Sequence, residues 1–115
     1  MRLSLRLRRD FTVTDPERLL AAARDAYGEL NPGVDVGQAE AMVTSAADAL
    51  FAILEYVGLL GEVVDARLAG QAPDGLALGG SRAQIVINEP APLASEPRRD
   101  CLRDDDVFAL PPDHR

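Results

Sequence analysis

From Val36 to Val64, apolar residues return at alternating steps of three and four: Val36, Ala39, Val43, Ala46, Leu50, Ile53, Val57, Leu60 and Val64. An α-helix, at 3.6 residues per turn, gathers such positions onto one face, and no other regular structure does. Met42, Ala47, Ala49, Leu54, Val63 and Leu68 widen the stripe beyond a coiled-coil seam. The expected use is therefore packing on a sheet or another helix, with homodimerisation through the same long helix as the alternative. Asp35 and Gln38 form a capping-box pattern at its start. Gly58 and Gly61 each cost about 1 kcal/mol relative to alanine inside a helix. The pattern thus predicts a helix from 36 to about 57 and a second helical piece to Ala69.

An earlier helix is announced by Thr14-Asp15-Pro16-Glu17, which supplies a cap, a proline suited to the first turn and an acid that complements the helix dipole. Leu19, Leu20, Ala23, Ala26, Tyr27 and Leu30 follow at helical spacing. Gly28 and the turn sequence Asn31-Pro32-Gly33 place the end between Tyr27 and Leu30.

Two segments carry strand signals. Leu3, Leu5, Leu7, Phe11 and Val13 share one parity, opposite Arg2, Arg6 and Arg8, as in a half-buried strand. Arg9 falls on the apolar parity and is assigned to a bulge or rim. Residues 82–88 contain Ile85-Val86-Ile87 between Gly79-Gly80 and Pro90. Pairing the two segments gives an α+β fold, a small two- or three-stranded sheet packed on two or three helices in β-α-α-β order. Residues 1–88 form the expected domain, with the long helix, Leu3, Leu5, Leu7, Phe11, Ile85 and Ile87 in one core. Residues 89–115 hold five of the eight prolines, seven acids and no glycine, and are expected to be a flexible, disordered tail.

Charge narrows the function. Nineteen acids oppose twelve arginines, with no lysine, for a net charge of -7, so nucleic acid is not expected as a partner of the whole chain. The distribution is uneven: residues 1–9 carry four arginines and no acid, while residues 10–88 carry twelve acids and four arginines. No apolar run approaches the roughly 20 residues that span a bilayer, and no secretory leader pattern is evident. A cytoplasmic protein is expected, with no membrane partner.

Catalytic inventory is thin. The single histidine, His114, and the single cysteine, Cys101, both fall in the tail, which leaves no scaffolded parts for Ser-His-Asp or Cys-His catalysis or a Cys/His zinc site. No cofactor, metal or catalytic residue is assigned. Leu78-Gly79-Gly80-Ser81-Arg82 lacks the lysine and spacing of a phosphate loop and reads as a turn.

Two functional expectations remain. The first is a non-enzymatic adaptor, regulatory or neutralising protein whose partner is another protein, larger or basic. It would be docked through Asp104, Asp105, Asp106, Val107, Phe108 and Leu110, an acidic run joined to an apolar one in a chain with only five aromatics. A variant covers a basic partner with an acidic helix face that includes Asp48, Glu55 and Glu62. The second is a small α+β domain, ligand-binding or enzymatic, using Arg9, Tyr56 and Arg82 around an anionic compound.

Overall fold

The computed structural model describes residues 1–88 and 92–93 of the 115-residue chain. The regular structure among them is helical: α1 spans Pro16–Leu30, α2 Val36–Met42, α3 Ala46–Tyr56 and α4 Glu62–Gln71. The chain divides into two units, one of Val13–Asn88 and one of Met1–Thr12 with the chain from Glu89 onward.

Each helix boundary in the helical unit has a local cause. Asp15 caps α1 by accepting from the Arg18 backbone N–H at 3.2 Å, and Pro16 occupies the first turn. Beyond Leu30, Asn31 donates from both its backbone and its side-chain nitrogen to the Tyr27 carbonyl. The Val34 N–H then closes onto the Asn31 carbonyl with Gly33 at φ +93°, the left-handed third position that a type II turn assigns to glycine. Asp35 and Gln38 form the full reciprocal capping box at α2, at 2.8 and 3.0 Å.

The expected long helix is interrupted at Val43–Ser45. Ser45 accepts from the Asp48 backbone N–H at 3.1 Å, while the Asp48 carboxylate accepts from the backbone N–H and hydroxyl of Thr44. These hydroxyl and carboxylate groups supply what a new helix start lacks, so the chain stops and restarts here although the apolar phase runs on. The restart shifts the buried face. Ala49 and Ala52 are buried on α3, whereas Ala46 and Val57 of the anticipated stripe are exposed.

The end of α3 follows the glycine pattern. Gly58 takes φ +79°, its N–H bonds the Glu55 carbonyl and the Leu59 N–H bonds that of Leu54. That pair of bonds is a Schellman closure. Gly61, at φ +85° and ψ -158°, precedes α4 without any side-chain cap.

The core lies where α1 packs on α3 and, less extensively, on α2. Its buried members are Ala23, Ala26, Ala39, Val43, Ala49 and Ala52, with Leu19, Leu20, Tyr27 and Ile53 partly buried against them. Arg24 on α1 donates to the Val43 carbonyl at 3.1 Å, satisfying the end of α2 from a neighbouring element. No residue of α4 is buried.

The α+β expectation is overturned: among the described residues there is no strand and no sheet. Leu3, Leu5 and Leu7 are 83–84% exposed, and Phe11 and Ile87 are also open. Alternation gives a segment two faces but supplies neither a backbone partner nor a surface to bury against. In the helical unit the small faces of α1, α2 and α3 bury one another, so no sheet is needed to cover them. The 82–88 segment ends in a turn at Ile87–Asn88, with Asn88 at φ +53°.

In the other unit, the Arg8 guanidinium donates two bonds to the Asp10 carboxylate, at 3.0 and 3.2 Å, and the Leu93 N–H adds a third at 2.8 Å. The Leu93 N–H, seconded by Arg8, holds the Asp10 carboxyl below its usual range.

Candidate functional site

The contact of α1 with α3 creates two open grooves, each with two carboxylates, the first with two aromatic residues and the second with one. The smaller, about 150 Å³, is lined by Tyr27 from α1, Met42 and Val43 at the end of α2, and Asp48, Phe51, Ala52 and Glu55 from α3. The larger, about 420 Å³, has Ala22, Ala26 and Ile53 as apolar lining, with Asp25 and Glu29 of α1 and Tyr56 of α3 beside them.

These groupings follow from helix geometry. Ala22, Asp25, Ala26 and Glu29 sit three and four residues apart and so share one side of α1, while Ile53 and Tyr56 do the same on α3. The small side chains at Ala22 and Ala26 leave open space that longer residues would fill. Among the described residues no arginine contributes to either groove.

Asp48 is the most constrained carboxylate of the two grooves. Donation by the Thr44 backbone N–H, then by the Thr44 hydroxyl and by Ser45, holds its carboxyl below the ordinary range. Its donors belong to the helix start, which accounts for Asp48 structurally. Glu55 lines the same groove but lies on the last turn of α3. Glu62 opens α4, beyond the Gly58–Gly61 turn. The acidic face expected to join Asp48, Glu55 and Glu62 is therefore divided between two helices.

Of the residues expected around an anion, Tyr56 lines the larger groove. Arg82 is exposed in the irregular chain after α4 and does not enter that groove. Arg9 belongs to the other unit. Asp25 and Glu29 are groove residues that the sequence reading did not single out; their four-residue spacing on the α1 face that carries Ala22 and Ala26 was the available signal. The docking segment Asp104, Asp105, Asp106, Val107, Phe108 and Leu110, with Cys101 and His114, lies outside the described residues.

Among the described residues no group of three or more acidic, histidine or cysteine side chains is placed to hold a metal ion. No helix among them is long and apolar enough to cross a membrane. Comparison with protein-family models, with curated proteins and with solved structures finds no match.

Proposed function

We propose that this chain is a non-enzymatic cytoplasmic protein that acts by binding another protein. One observation carries the reading: the helical unit buries alanines and a single valine, while Met42, Tyr56, Val57, Leu59, Val63 and Leu68 stand half-exposed or more on its surface. Large apolar side chains left at a surface are what a protein interface uses as anchors. The acidic balance of the unit, eleven acids to four arginines over residues 13–88, favours a basic partner through steering and charge complementarity. The segment Asp104–Leu110 supplies a second contact in this reading, with Phe108 and Leu110 as its anchors.

The test is affinity capture from host lysate with the full-length chain and with the F108A/L110A variant, followed by mass spectrometry of bound proteins and small molecules. A stoichiometric protein on the wild type, lost on the variant at unchanged circular dichroism, is the expected result. Equal capture by both removes residues 104–110 from the reading and leaves the helical surface as the contact. Retention of a small molecule and no protein by either form overturns it.

A further inference from the structure

Resting on that reading, we infer that the larger α1–α3 groove is the docking site for an arginine- or lysine-bearing segment of the partner protein, its cation held between Asp25, Glu29 and Tyr56. Each part of the groove answers a different part of such a side chain. Ala22, Ala26 and Ile53 offer an apolar lining for the methylene stem, which prefers apolar contact while its head stays polar. Tyr56 is more than half exposed at the last position of α3, which leaves part of its ring accessible for contact with a cation.

Asp25 and Glu29 supply the counter-charge. They are four residues apart on one helix, an arrangement in which like charges repel. Neither has an ion pair among the described residues, so a cation arriving from outside relieves that repulsion. Two carboxylates alone would be an ordinary solvated helix face. Here they stand beside an apolar groove of about 420 Å³ and an exposed aromatic ring, with no arginine among the described lining residues. A small inorganic cation uses neither the apolar lining nor the ring, and an anion meets two carboxylates, which leaves the long basic side chain as the ligand that engages every surface.

The experiment uses the full-length chain and a fluorescent synthetic peptide with two arginines four residues apart and leucines on the adjoining helical face. Its neutral twin carries citrulline in place of both arginines. Affinity is measured by anisotropy for the wild type, D25N/E29Q, Y56F, Y56S and a charge-matched control, E40Q/D74N, whose substitutions are exposed and outside the groove. The expected result is a loss of about tenfold or more for D25N/E29Q and several-fold for Y56S, with Y56F close to wild type and E40Q/D74N changed by less than about twofold. Equal losses in D25N/E29Q and E40Q/D74N overturn the inference, because net charge alone then governs binding. Equal affinity for the citrulline peptide overturns it as well. Either of these failures beside successful lysate capture removes this site and leaves the broader reading standing, whereas capture of no protein by the full-length chain removes the reading on which it rests.

Discussion

At the scale of single residues, two glycines with the same side chain have opposite roles. Gly28 sits inside α1, and a Cβ added there meets nothing within 4 Å. Gly28→Ala is therefore expected to stabilise the helical unit by about 0.5–1 kcal/mol, read as a higher urea midpoint at unchanged slope. Gly61 occupies φ +85° and ψ -158°, a region nearly reserved for glycine, and its added Cβ would lie 3.3 Å from Glu55 Oε2. Gly61→Ala should cost about 1–3 kcal/mol, and a neutral result would show that the α3–α4 turn is not held in this form. Asp48 supplies the pH dependence. Its carboxyl is lowered by the Thr44 backbone N–H first and the Thr44 hydroxyl second. The resulting stabilisation is complete above the unfolded carboxylate value of about 3.9 and is lost as pH falls through the lower folded value. Thr44→Val removes the hydroxyl but keeps the backbone donor, so the Asp48 titration should move part of the way back toward the ordinary range. The stability gap between wild type and Thr44→Val should accordingly shrink as pH falls from neutrality through that window, measured by denaturation alongside NMR titration of the carboxyl.

At the scale of elements, what was legible in the sequence was what short-range chemistry controls. Asp15 with Pro16, Asp35 with Gln38, Asn31-Pro32-Gly33 and the Gly58–Gly61 pair all act within a few residues of themselves, and each appears as a cap, turn or stop. The break at Val43–Ser45 was also written locally, as Ser45-Ala46-Ala47-Asp48, a hydroxyl followed three residues later by an acid. It was obscured by an apolar phase that continued through it. That segments 3–13 and 82–88 form no strands was not legible in that sense, because alternation belongs to one segment whereas pairing belongs to two. Asp25 and Glu29 escaped notice for a related reason: their neighbour Tyr56 lies on another helix. α4 is the least supported helix, with no buried residue, no side-chain cap and only ten residues, a length marginal for a helix without tertiary packing. Amide hydrogens of Glu62–Gln71 should exchange far faster than those around Ala23 and Ala49. Protection in α4 equal to that of α1 would mean that something covers it in solution.

At the scale of the whole molecule, the helical unit is held by close approach of small residues. Ala23 and Ala49 are fully buried, so any added volume between α1 and α3 must push the helices apart. Ala49→Leu is expected to destabilise by about 1–3 kcal/mol, and thermal denaturation showing no loss would contradict a filled α1–α3 contact. An interior of alanines also divides the entropy of ordering unevenly. Alanine has no rotamers to lose on burial, whereas methionine, leucine and tyrosine lose a good deal. In this unit part of the freedom of Met42, Tyr56, Leu59 and Leu68 survives folding, since those side chains remain half-exposed or more at the surface. Its loss is deferred to the moment a partner covers them, so the rotameric disorder retained by the folded chain becomes part of the cost of every complex it forms.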